Sequence, residues 1–150
     1  MPLIELLSRL VVATIAGMFL GVDREWRGMP AGLRTHGLVA LSAAAITMSA
    51  VLMHESLKSG GATATDPLRV IQGLAQAIGF IAAGLIIKAK GSVWNVTSAA
   101  DLWLATAVGI AAGAGQHMLV LATTGMGVLL LVGVRRLERL VPGHNPEFDD

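Results

Sequence analysis

Five stretches of the chain run almost without charge: Leu3–Val22, Leu38–Met53, Leu68–Ile87, Ala99–Gly113 and Met118–Val134. Crossing a bilayer takes about 20 apolar residues per helix, and these stretches approach or reach that length. They are rich in Gly and Ala and show no period-2 alternation, which excludes the strands of a membrane barrel. The pattern predicts an all-α integral membrane bundle of five transmembrane helices joined by short loops. The bundle is expected to occupy residues 1–141, followed by a short acidic cytoplasmic tail at 142–150.

Composition agrees. Of 150 residues, 54% are hydrophobic and 14% charged, with a mean hydropathy of +0.69, whereas soluble domains carry about 25% charged residues. The amino terminus, Met1-Pro2-Leu3-Ile4-Glu5, lacks the cationic start of a signal peptide, and no small-x-small site precedes Gly21. It is expected to remain as the first membrane helix. The chain contains no cysteine, which excludes disulfides and thiolate metal sites. No nucleophile with a base, His-rich metal spacing or phosphate-binding loop is visible. His36, His54, His117 and His144 are scattered over separate connections or helix ends. The reading is therefore a non-enzyme with no cofactor, no metal site and no nucleic-acid partner.

Basic residues set orientation, because positive loops resist translocation. Arg24, Arg27 and Arg34 fall in the first connection, Lys88 and Lys90 in the third, and Arg135, Arg136 and Arg139 after the last span. With alternating helices these eight share one side, against Arg9, Lys58 and Arg69 on the other. The amino terminus is expected outside and the carboxyl terminus in the cytoplasm. Asp66-Pro67 suits the start of the third helix, after a flexible outer loop at 59–65.

Within lipid, helices associate through small residues and interhelical hydrogen bonds. Ala13, Gly17 and Gly21 form such a seam on the first helix, and Gly79, Gly84 and Gly109 are further packing candidates. Glu5 and Arg9, four apart, read as a local ion pair. Gln72 and Gln76 share a stripe of the third helix with Arg69, Gly79 and Ala83. Amides in hydrocarbon need partners, so this stripe either glues helices or lines a polar cavity. The fourth helix opens Asn95-Val-Thr97-Ser98-Ala-Ala-Asp101. Ser98 and Asp101 match a helix N-cap pattern; alternatively Thr97, Ser98 and Asp101 face the interior as oxygen ligands.

The stretch GVDREWRGMPAGLRTH, residues 21–36, packs charge and glycine between the first two spans. Topology needs only Arg24, Arg27 and Arg34. The acids Asp23 and Glu25 add little to orientation, so a mixed-sign network at the cytoplasmic mouth is expected. Pro30-Ala31-Gly32 should end the first helix and start the second, with Arg34, Thr35 and His36 in its first turn.

This segment resembles the signature of the MgtC/SapB membrane protein family. The resemblance continues through Asp66-Pro-x-Arg69, Gly79-Phe80-Ile-Ala-Ala-Gly84, Lys88 and Thr97-Ser98-Ala-Ala-Asp101-Leu-Trp103, over roughly residues 1–135. Relatives usually have Leu-Gly-Ala-Gly where this chain has Ile81-Ala-Ala-Gly84, and an Arg-Gly pair where it has Trp94-Asn95. A small hydroxyl residue commonly stands in the place of Asp101. The resemblance implies a minimal member that lacks the cytoplasmic domain many relatives carry.

It further implies a bacterial inner-membrane protein tied to growth in low magnesium and, in pathogens, to survival inside macrophages. Two activities follow: a regulator of another membrane protein such as the ATP synthase, or a transporter or channel for magnesium or another small solute. Small-residue faces favour contact and a homodimer. Magnesium needs several oxygen ligands, and Asp101 and Glu5 are the only acids in the apolar zone. Regulation is the preferred reading. The candidate cluster is Asp23, Arg24, Glu25, Arg34, His36, Gln72, Gln76, Lys88, Asn95, Thr97, Ser98 and Asp101.

Overall fold

A computed structural model describes residues 1–61, 66–89 and 92–138. The tail at 142–150, Lys90, Arg139 and residues 62–65 of the outer loop lie outside these. Five helical segments are long and apolar enough to cross a membrane. They are α1 (Leu3–Trp26), α2 (Leu33–Ser59), α3 (Leu68–Leu85), α4 (Val96–Gly113) and a composite fifth, His117–Leu137. The fifth starts as α5 (His117–Val128), widens into a π-helical turn over Leu129–Val134 and closes with α6 (Arg135–Glu138).

Helix ends differ from the apolar runs for local reasons. Hydropathy marks only what sits in hydrocarbon, so α2, with 27 residues, extends past both polar ends of its run and measures about 40 Å. At the end of α1, Met29 N–H reaches Arg24 O at 3.0 Å and Gly28 N–H reaches Glu25 O at 3.1 Å. Gly28, at φ +64°, is thus the left-handed residue of a Schellman close. Nothing surrounds the place of its missing Cβ, so Gly28→Ala should cost only the backbone term, about 1–2 kcal/mol. Thermal unfolding in detergent would measure it; an unchanged transition would mean the turn relaxes freely.

The third connection was not foreseen. α3 stops at Leu85, and a short antiparallel hairpin follows, β1 (Ile87–Ala89) with β2 (Ser92–Trp94), pairing Ile87 with Trp94 and Lys88 with Val93. Ile86-Ile87 continues the apolar run, which hides the break. Asn95 then takes a left-handed conformation, φ +64°, and its side-chain amide donates to Leu85 O at 3.1 Å, tying the two ends of the hairpin together. Because α4 begins at Val96, without a side-chain cap, Ser98 and Asp101 are not its N-cap. They stand inside its first two turns.

α4 is the axis of the bundle: it packs against α1, α2, α3 and α5, and its span is the most buried of the five. α1 and α2 form the other close pair, while α3 leans mainly on α4. The central cluster is built mostly of small side chains: Ala13, Ala16, Ala44, Ala105, Ala111 and Ala112, with Leu20, Val108 and Val120. Small residues let backbones meet, and the meeting point is Ala40. A Cβ on Gly17 would lie 2.6 Å from that of Ala40, and one on Gly109 would strike Ala40 O. Gly21 similarly faces Gly32 O at 2.9 Å and Gly113 faces Ala44 O at 2.6 Å. The seam of the first helix therefore serves α2 of the same chain. Gly79 and Gly84 meet nothing within 4 Å, so they do no close packing within the chain.

At the other end, Arg9 contacts Glu5 at 2.5 Å and also donates to Gly113 O at 2.8 Å. A cation on the last carbonyls of α4 is favourable for a helix C-terminus. The Glu5–Arg9 pair is thus more than local: it ties α1 to α4.

Candidate functional site

The last turn of α1, the first of α2 and the start of α4 converge on one buried polar cluster. Arg24, His36, Ser98 and Asp101 are each at most 3% exposed. Arg24 points inward because it lies on the same helical face as Gly17 and Gly21, where α2 and α4 come close. Its Nη1 donates to Ser98 Oγ at 2.9 Å and lies 3.5 Å from Met29 Sδ, while its Nε sits 3.8 Å from Asp101 Oδ2. On the far side of the same carboxylate oxygen, His36 Nε2 stands at 2.9 Å. The other ring nitrogen, Nδ1, is 3.1 Å from Gly32 O.

That arrangement fixes the proton count. Gly32 O can only accept, so His36 Nδ1 carries a hydrogen. Nε2 and Asp101 Oδ2 then need a hydrogen between them, held as an imidazolium or a protonated acid. With Arg24 always charged, the three side chains carry a net positive charge in either form. Removing one member of such a buried set is costly, because its partners are left uncompensated in low dielectric. The cluster therefore locks α1, α2 and α4 together. A divalent cation at Asp101 would have to sit among a guanidinium and a protonated imidazole–carboxylate pair. Among the described residues no group of three His, Cys, Asp or Glu side chains could hold a metal.

The remaining candidates spread outward. Asp23 bridges Arg27 and Arg135, each at 3.4 Å, so the mixed-sign mouth reaches the end of the fifth span. Glu25 Oε2 accepts from Leu33 N–H at 3.1 Å, capping the start of α2. Arg34 and Thr97 are exposed, and Lys88 lies on β1. Gln72 and Gln76 are both exposed on the outer side of α3. They line no cavity within the chain. Sequence reasoning missed Met29 and Arg135 as partners, for which nothing marked them. It also missed Gly113, although Gly109-x-x-x-Gly113 repeats the spacing recognised on α1.

A sequence profile described as the MgtC family matches residues 10–140. The chain belongs to the MgtC family. Among its relatives, the protein SrpB of Synechococcus elongatus is 36% identical over 140 residues, covering 88% of this chain and 76% of the relative. A proposed magnesium transporter of Escherichia coli K12, YhiD, is 32% identical over 127 residues, covering 85% of this chain and 59% of its own. The protein MgtC of Salmonella typhimurium LT2 is 32% identical over 136 residues, covering 87% and 54%. The chain thus spans little more than half the length of the last two. No solved structure matches it. As an MgtC-family chain with five apolar helices, it is a multi-pass membrane protein.

Proposed function

We propose that this MgtC-family protein is a bacterial inner-membrane regulator that acts by helix contact within the bilayer. Its amino terminus lies outside, its arginine-bearing turn and carboxyl terminus at the cytoplasm, and it serves adaptation to low magnesium and, in a pathogen, intracellular survival. One observation carries this reading: Gln72 and Gln76, one helical turn apart, are exposed on a membrane span. Polar side chains in spans normally face the bundle interior or a water-filled cavity, and an amide left in hydrocarbon costs free energy. The outer face of α3 is therefore a surface for another helix. A second copy related by a two-fold axis would pair the amides reciprocally. Another membrane protein, such as the ATP synthase named by the family resemblance, would use the same donors and acceptors.

The chain has no cysteine, so Gln72→Cys and Gln76→Cys give clean crosslinking in native membranes. A homodimer or hetero-adduct is expected from both positions, and none from Leu121→Cys, which lies exposed on α5. No adduct from either α3 position would remove the contact surface. A second reading, transport of magnesium or another small solute, is favoured by the buried Asp101 carboxylate, whose oxygens have no well-aligned hydrogen bond among the described residues. Magnesium flux in proteoliposomes that disappears in Asp101→Asn would replace regulation with that reading.

A further inference from the structure

The π-helical turn does more than lengthen the fifth span. Between it and α1 lies a cleft of about 360 Å³, within the range of small-ligand sites. Its walls are apolar: Phe19, Val22 and Trp26 on α1 face Val128, Leu131 and Val132. At its mouth stand Asp23, Arg135 and Arg136. Widened i→i+5 turns in helices often mark functional sites. This one alters the register beyond it, so that Arg135 meets Asp23 at 3.4 Å.

We infer that this cleft binds an anionic phospholipid, with an acyl chain along the apolar walls and the phosphate at Arg135 and Arg136. Charge at the mouth is unbalanced. One carboxylate, Asp23, is shared between Arg27 and Arg135. Arg136 is exposed and makes no ion pair among the described residues. The Nε of Arg135 is buried and lacks a hydrogen-bond partner among them. A buried guanidinium N–H without an acceptor calls for one, and arginine forks match phosphate oxygens. Trp26, 86% exposed, has the amphipathic ring that settles at headgroup depth. Basic pockets between membrane helices select anionic headgroups, whereas a neutral lipid would fill only the apolar part. The continuous greasy wall is why a lipid, and not free phosphate, is the occupant.

The test uses the full chain in nanodiscs with Trp94→Phe and Trp103→Phe, leaving Trp26 as the sole tryptophan. Quenching of Trp26 by brominated phosphatidylglycerol is compared with quenching by brominated phosphatidylcholine at equal mole fraction. The anionic lipid should be preferred, with about a fivefold loss of preference for each arginine removed. Arg136→Gln tests this without touching the Asp23 pair, and Arg135→Gln adds the second step. Val132→Phe, which fills the cleft and keeps every charge, should also weaken the preference. Equal quenching by both lipids overturns the site. So does displacement of the anionic lipid by soluble glycerol phosphate, since headgroup recognition alone would then suffice. A preference that survives both Arg136→Gln and Val132→Phe likewise places the lipid elsewhere.

Discussion

Asp101→Ala is expected to lower the unfolding free energy by about 3–5 kcal/mol, the largest single-site loss in the chain. The carboxylate lies 2.9 Å from His36 Nε2 and 3.8 Å from Arg24 Nε, and all three side chains are essentially closed to solvent. Without it, Arg24 keeps Ser98 and Met29, neither of which carries charge. The cost comes from the abandoned cations more than from lost attraction. Arg24→Met combined with Asp101→Leu should therefore recover much of the loss, because a buried ion pair replaced by apolar groups of similar size is often neutral. Unfolding in detergent, measured for both single variants and the double, gives the coupling. A double variant as unstable as the two losses added together would mean that charge does not hold the cluster. The recovered double also separates the two activities: a regulator acting through α3 should still work, whereas a carrier that ligates cargo with Asp101 should not.

Gly109→Ala comes second. Its new methyl would run into the carbonyl oxygen of Ala40, with that residue's carbonyl carbon and Cα both at 2.9 Å. These are main-chain atoms, so no rotamer change relieves the overlap and α2 must move away from α4. The expected cost is about 3 kcal/mol, the upper part of the range for overpacking. Gly79→Ala is the matched control, since nothing stands within 4 Å of it. If both variants unfold alike, the close crossing at Ala40 is not what stabilises the bundle. Gly79→Leu should leave unfolding of the single chain unchanged yet weaken crosslinking from Gln76→Cys.

The five spans were legible because a bilayer imposes one crude requirement, a long apolar run, and each run satisfies it. Features smaller than a span were not. The hairpin at 87–94 contains Ile87, Val93 and Trp94, which read equally well as the frayed end of α3. The π turn sits in Leu129-Leu-Leu-Val-Gly-Val134, a sequence that would serve an ordinary helix. At the site, motif and chemistry pointed to Arg24, His36, Ser98 and Asp101 as candidates without joining them. Arg24 and Ser98 are 74 residues apart, and only the crossing of α1, α2 and α4 brings them together. The capping interpretation of Ser98 and Asp101 failed because it depended on where α4 begins. A left-handed Asn95 moved that start by one turn.

The crossing at Ala40 and the ionic cluster lie close along the same three helices: His36 precedes Ala40 by one turn, and Arg24 follows Gly17 by two. Sliding any of these rods past another would tear both fastenings at once. Whatever shape change accompanies signalling must therefore be borne by the periphery, with α3 hinging like a shutter on an immobile trunk. Spin labels on α1 and α2 should report a constant separation when a partner docks, while a label on α3 should register the swing.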